Sequence, residues 1–166
     1  MAMLIGTTKF SHAATMESAV KAGVIYNFAK YIEWPESIDL YATFNICHNG
    51  DNRLEDSLQA LQGKLIGGKH ISVKQNVKPE DFYSCQILFI AEDDDQVTYK
   101  LLHDIGNAPI VTVSDSPKFV LKGGMIGIIR DGGRVGFEVN LAPVNVKDLH
   151  FSAQLLKLAK VVKGLK

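Results

Sequence analysis

The segment Gln86-Ile87-Leu88-Phe89-Ile90-Ala91 is apolar at every position after its first residue. Successive side chains of a strand point to opposite faces of a sheet, so a strand that is apolar throughout must be covered on both faces. Short apolar runs alternate with helix patterns on both sides of this segment. The alternation predicts an α/β fold, a three-layer sandwich in which a mainly parallel sheet carries helices on both faces.

The elements predicted around this central strand follow one another at short intervals. Between residues 44 and 113 we predict strands at 44–48, 71–77, 86–91 and 110–113 and helices at 53–62 and 96–105. Beyond Lys122, apolar runs at 125–129 and 135–141 flank Asp131-Gly132, which predicts a C-terminal antiparallel hairpin. Ser152 is the predicted cap of a final helix that extends through Val162.

The first helix is predicted to begin at a Thr15 cap and to end at Pro35. Its apolar stripe consists of Val20, Val24, Phe28, Tyr31 and Ile32. Because the residue before a proline is pushed out of the helical region, Trp34 is expected at an extended exit, partly packed and partly exposed. Residues 1–14 end in a small-residue pattern that resembles the end of a secretory signal. We therefore interpret residues 1–14 as a leader or signal-peptide remnant and residues 15–166 as a single α/β domain.

Composition restricts the partners that the chain can have. Its 166 residues include 18 Lys and Arg against 18 Asp and Glu, so no net field attracts nucleic acid or a membrane surface. No run approaches the roughly 20 apolar residues of a membrane-spanning helix, which argues against direct membrane insertion. The expected partners are proteins or small molecules.

Acidic residues follow the central strand and offer the strongest sign of chemistry in the sequence. The run Glu92-Asp93-Asp94-Asp95 lies where open α/β sheets bind ligands, with Asp51 and Asp115 after neighbouring strands. We interpret the run as a solvated helix N-terminus. One alternative is a magnesium-dependent phosphoacceptor site. The other is a small-ligand sensor with its pocket near Asn49, Asp51, Glu92 and Asp115. The histidines show no metal-ligand spacing, and no motif predicts a metal site, a cofactor or a catalytic residue.

Cys47 and Cys85 are the two cysteines of the chain. A disulfide suits an exported domain, whereas two buried free thiols are common in cores, and the spacing leaves both possibilities open. Strand register decides between them. An offset of two residues along neighbouring strands adds roughly 6.6 Å, which would forbid the bond without backbone movement.

Two blocks of sequence resemble the YfiR-like family of bacterial exported, periplasmic regulators. The opening block is residues 21–35, KAGVIYNFAKYIEWP. The closing block consists of residues 122–127, KGGMIG, 133–141, GRVGFEVNL, and 149–159, LHFSAQLLKLA. Between them, residues 44–47, FNIC, and 85–91, CQILFIA, are similar to the family's first and third strands. The resemblance covers residues 18–162.

The resemblance implies a non-enzymatic protein of the periplasm that binds and represses a membrane-bound diguanylate cyclase. It also implies a Cys47–Cys85 disulfide. From the positions of the two cysteines we add the hypothesis that their reduction tunes repression. Tyr26, Tyr31 and Trp34 are amphipathic aromatics of the kind enriched at interfaces, and we interpret them as candidate partner-binding residues, although core packing explains them equally well. A homodimer is a further possibility.

The polar residues of the two blocks are Asn27, Glu138 and Asn140. Polar groups among apolar neighbours usually hold backbone groups or helix ends, so we predict structural hydrogen bonds for all three.

Overall fold

The computed structural model describes residues 9–51 and 53–165 of the chain. The helices of this part are α1 (Lys9–Tyr31), α2 (Glu55–Gln59), α3 (Asp95–Ile105) and α4 (Ala153–Leu158). The strands are β1 (Ile32–Glu33), β2 (Thr43–Gly50), β3 (Leu65–Ile66), β4 (Lys69–Gln75), β5 (Ile87–Ala91), β6 (Val111–Ser114), β7 (Ile126–Asp131), β8 (Arg134–Asn140), β9 (His150–Phe151) and β10 (Val161–Lys163). Short 3-10 helices span Glu36–Leu40, Pro79–Ser84 and Phe119–Lys122.

One sheet dominates the described part of the chain. Its eight strands lie in the order β10-β8-β7-β6-β5-β2-β4-β3, and β1 pairs separately with β9. Neighbours from β4 through β7 are parallel, while β7 and β8 form the predicted antiparallel hairpin. The mainly parallel α/β sandwich is thus confirmed.

Two apolar cores lie on opposite faces of the sheet. The α1-side core collects residues of α1, α2 and α4, and the α3-side core collects residues of α3 and of the 3-10 helices Pro79–Ser84 and Phe119–Lys122. Along β5, Ile87 and Phe89 belong to the α1-side core, whereas Leu88 and Ile90 belong to the α3-side core. This division explains why the central strand is apolar at successive positions.

The first helix begins earlier than its predicted cap. Helix α1 starts at Lys9, so Thr15 lies inside it and the predicted Thr15 cap is wrong. Ile32, predicted on the helix, lies on β1 and pairs with Phe151 of β9, because this antiparallel pairing ends the helix at Tyr31. Residues 1–8 of the predicted leader lie outside the described residues, and the boundary at residue 14 stays a prediction.

The final helix is shorter than predicted. Ser152 caps it as expected, since its Oγ accepts the Leu155 N–H at 3.2 Å, but α4 ends at Leu158. Val162 lies on β10 and pairs in parallel with Val139 of β8. The placement of Val162 on a helix is therefore wrong, because pairing with the edge of β8 competes with continued helix. Of the described helices, none is long and apolar enough to cross a membrane.

Candidate functional site

Charged side chains converge on Arg53 at the carboxyl edge of the sheet. One guanidinium nitrogen lies 2.6 Å from a carboxylate oxygen of Asp51 and 3.2 Å from one of Asp93. The second terminal nitrogen lies 3.4 Å from Oδ1 of Asp115. The three carboxylates follow β2, β5 and β6, at the place where strand order reverses and ligands bind in such sheets. The cation among these carboxylates is thus an arginine of the chain itself.

Glu92 and Asp94 of the acidic run accept backbone hydrogen bonds at the start of α3. Oδ1 of Asp94 accepts the backbone N–H groups of Gln96 and Val97 at 2.8 and 3.1 Å, and Glu92 accepts the N–H of Asp94 at 2.9 Å. Asn49, proposed for the ligand sensor, donates instead to the Val77 carbonyl at 2.8 Å. The preferred interpretation, a helix N-terminus, accounts for these contacts.

Helix α1 is joined to the same edge by residues that the sequence analysis missed. Nζ of Lys21 lies 2.8 Å from Asp115 and 3.0 Å from Glu17, and Glu17 also pairs with Arg130. Asp115 is largely buried, with 7% of its side chain exposed. Arg53 could have been noticed from its place two residues after Asp51, but no sequence pattern connects Lys21 with Asp115.

The ion pairs of Arg53 make a prediction about titration. The Arg53 guanidinium, chiefly through its hydrogen bonds, holds the pKa of Asp51 below its ordinary value. Arg53→Met should raise the pKa of Asp51 towards that value, as measured by a carboxyl-carbon NMR pH titration. Lys100→Met is the matched control, because Lys100 pairs with Asp104 at 2.6 Å on α3 and should leave Asp51 unchanged. An unaltered Asp51 titration in Arg53→Met would contradict the pairing.

His48 is buried near this edge, and its ring makes no hydrogen bond of good geometry with the described residues. Its ring, 2% exposed, lies parallel to that of Phe89 at 5.9 Å between centroids, and both ring nitrogens lack a partner among the described residues. Burial lowers the pKa of His48, and the nearby charges of Glu55 and Asp51 oppose this only in part. A buried donor or acceptor without a partner costs about 1–3 kcal/mol.

We predict that His48 makes the fold acid-sensitive. The unfolded chain binds a proton near pH 6.5 while the folded chain resists it, so the free energy of unfolding should fall below that pH, by at most about 1.4 kcal/mol per unit. His48→Leu, of similar volume, should be more stable and should lose this dependence in urea unfolding. His103→Leu, at a side chain that is 90% exposed, is the control. Equal pH profiles for wild type and His48→Leu would refute the prediction.

The three candidate partner-binding aromatics also make contacts within the chain. The indole N–H of Trp34 donates to the Gln86 carbonyl at 3.3 Å, and its ring meets Phe44 edge to face at 5.1 Å. The Tyr26 hydroxyl donates to the Leu65 carbonyl at 3.1 Å, and Tyr31 packs against the α1-side core. Each remains partly exposed, so their role at an interface stays a prediction.

Most of the chain matches a known protein family. A family model described as YfiR/HmsC-like matches residues 18–160, from within α1 to the segment between α4 and β10. The chain belongs to the YfiR/HmsC-like family. This is a family of periplasmic regulators, so membership favours a regulatory role over catalysis at the carboxyl edge.

The similarity of the chain to solved structures supports the fold alone. No curated protein matches the chain. A solved structure of a conserved domain protein from Vibrio cholerae O1 biovar El Tor strain N16961 has a TM-score of 0.51 at 12% identity. The alignment covers 88% of this chain and 60% of that one, so the YfiR/HmsC-like chain spans less than two thirds of its structural neighbour.

The polar residues of the YfiR/HmsC-like blocks differ in their surroundings. Asn140 donates to the Val120 carbonyl at 3.2 Å and accepts the Ala142 N–H at 3.1 Å, which joins β8 to the neighbouring loops. Asn27 is exposed on α1 and Glu138 is half-buried on β8, and neither side chain bonds to another described residue. The predicted structural role therefore has contacts to support it at Asn140 alone.

The Cys47–Cys85 disulfide of this YfiR/HmsC-like chain forms despite an unfavourable register. Cys47 lies opposite Leu88 of β5, three residues beyond Cys85, an offset of about 10 Å along a strand. The Cα atoms are nevertheless 5.8 Å apart. Cys85 follows the 3-10 helix Pro79–Ser84 and precedes β5, so it is not part of the strand and lies in the α3-side core. The expectation that register alone decides the bond is wrong.

Proposed function

We propose that this chain is a periplasmic protein that binds and represses an inner-membrane diguanylate cyclase. The observation that carries the proposal is the family match over residues 18–160, which includes both sequence blocks and both cysteines. A repressor of this kind needs only to prefer the inactive conformation of its partner. A shift from a 99:1 active population to 1:99 takes about 5.5 kcal/mol of differential affinity, within the range of ordinary protein interfaces.

The carboxyl edge supports binding over chemistry. Arg53 and Lys21 are already paired with the carboxylates that a phosphoacceptor would use for Mg²⁺, so metal binding there would have to displace them. A small-ligand sensor at the same edge would likewise have to break these pairs. Repression by protein contact requires neither rearrangement.

The proposed contact surfaces are α1 with its Trp34 exit and the closing segment around α4. Leu158 and Leu165 are 68% and 71% exposed beside the edge strand β10, so this segment carries apolar side chains that a partner could cover. Leu158→Asp should weaken binding to the cyclase if the closing segment contacts it. Leu40→Asp, at a residue that is 88% exposed and follows the Trp34 exit in sequence, tests the other surface in the same way. Trp34→Ala tests the exit, and a loss of stability with unchanged partner affinity would remove it as a contact.

The test in cells combines capture and nucleotide measurement. Tagged protein captured from native membranes should bring an inner-membrane cyclase with it, and a deletion strain should hold more cyclic diguanylate. Wild-type protein expressed in the deletion strain should restore the lower level of cyclic diguanylate, and the Leu158→Asp variant should not. Recovery of no such partner together with an unchanged nucleotide level would reject repression and favour the ligand sensor.

Redox tuning is the finer part of the proposal. The disulfide holds β2 to the segment before β5. Its reduction would loosen the centre of the sheet on which both contact surfaces rest. Repression that is equally strong with alanine at both cysteines, measured at equal protein level, would exclude such tuning.

A further inference from the structure

A cavity of about 380 Å³ opens beside Trp34, at the edge of the sheet opposite the Arg53 cluster. It lies between the end of α1, the 3-10 helix Glu36–Leu40, the start of β2 and the β3–β4 hairpin. Its floor consists of the buried apolar side chains Ala29, Ile32, Phe44 and Ile66. Pockets for small ligands commonly have this size and combine an apolar floor with a few polar groups.

The walls of the cavity are held in place by contacts within the chain. Trp34 is fixed by its hydrogen bond to Gln86 and its packing on Phe44. On the other side, the Tyr26 hydroxyl binds the Leu65 carbonyl of β3 and so ties the hairpin to α1. A ligand would therefore meet a preformed aromatic wall, which reduces the entropy lost on binding.

The mouth of the cavity carries an excess of positive charge. Lys30 and Lys69 line it, and Lys64 lies nearby, 5.9 Å from the Tyr26 ring. Nζ of Lys30 lies 4.4 Å from the centroid of the same ring and pairs with no carboxylate of the described residues. Asp39 is the acidic residue of the lining, 4.0 Å from Lys69 and 77% exposed, and Nζ of Lys69 also donates to the Tyr41 carbonyl at 2.7 Å. Such a mouth attracts an anion over an apolar floor.

We propose that this cavity binds a small organic anion, a carboxylate with an apolar body about the size of an aromatic ring. The body would lie against Trp34 and Phe44, and the carboxylate would lie between Lys30 and Lys69. Bound in this way, the ligand would join α1 to the β3–β4 hairpin and stabilise the Trp34 exit. This site goes beyond the proposed function and does not depend on it, since the purified chain alone is sufficient to test it.

The single tryptophan of the chain reports on binding directly. Phenylacetate titrated into the purified protein should change Trp34 fluorescence with a Kd of about 1 mM or lower, as fits so small a probe. Phenylacetamide, its neutral analogue, should bind at least about fivefold more weakly if the lysines contribute. Equal binding of acid and amide, or no binding of either, would overturn the proposal.

Variants at the mouth distinguish this site from a general attraction of anions. Lys30→Met with Lys69→Met should weaken phenylacetate binding about tenfold, whereas Lys30→Arg with Lys69→Arg should retain it. Lys157→Met, at an exposed lysine of α4 outside the lining, is the matched control. Thermal unfolding confirms that each variant is folded. A similar loss in the control and in the methionine double variant would overturn the assignment to this cavity.

Discussion

Alanine at both Cys47 and Cys85 should lower the free energy of unfolding by about 4 kcal/mol. The bond spans a sequence separation of 38 residues, and closing a loop of this length restricts the unfolded chain by about that amount in the chain-entropy model. Urea unfolding measures the loss directly. For a domain of this size the melting temperature should fall by about 10 °C.

Reduced wild-type protein is the control for this double variant. Both cysteines are buried in the α3-side core, so alanine also removes packed sulfur atoms. Reduction removes the crosslink and keeps the atoms, and it should account for most of the loss. A double variant as stable as oxidised wild type would contradict the predicted loss. Free thiols on both cysteines of wild-type protein taken from the periplasm would contradict the bond.

Gly50→Ala should destabilise the fold by about 3–5 kcal/mol, because it combines backbone strain with a steric overlap. Gly50 has a φ of +106°, and a Cβ atom at this residue would lie 2.1 Å from the Ala91 carbonyl oxygen. That oxygen accepts the Asp51 N–H at 3.0 Å. The substitution would therefore push β2 and β5 apart at the edge where Asp51 meets Arg53.

Gly63→Ala separates the two contributions. Gly63 has a φ of +80°, but no atom lies within 4 Å of its added Cβ. It should cost about 1 kcal/mol, from strain alone. Urea unfolding of both variants gives the comparison, and equal losses would show that the approach of Ala91 contributes nothing.

The layers of the fold could be predicted because they depend on local patterns. The unbroken apolar character of Ile87 to Ala91 required cover on both faces, and the two cores provide it. The Ser152 cap depends on neighbouring residues and was also predictable. The state of Val162 depends on pairing with Val139, which lies far away in sequence and leaves no periodic signal near the helix.

The candidate site was predictable in position but not in chemistry. Parallel topology brings Asp51, Asp93 and Asp115 to one edge, as expected from their places after successive strands. The cations that meet them come from a loop and from α1, and only the tertiary structure brings Lys21 within 2.8 Å of Asp115. For the same reason, the cysteine pair could not be judged from register, because Cys85 leaves the plane of the sheet.

The two outermost strands of the large sheet are very short, with two residues in β3 and three in β10. Each outermost strand therefore offers little unpaired backbone, and Lys163 adds a charge on β10. Edge-to-edge association of identical molecules, the usual beginning of aggregation in sheet proteins, has a small template here. The protein should tolerate accumulation to high concentration better than a protein whose sheet ends in long, flat strands would.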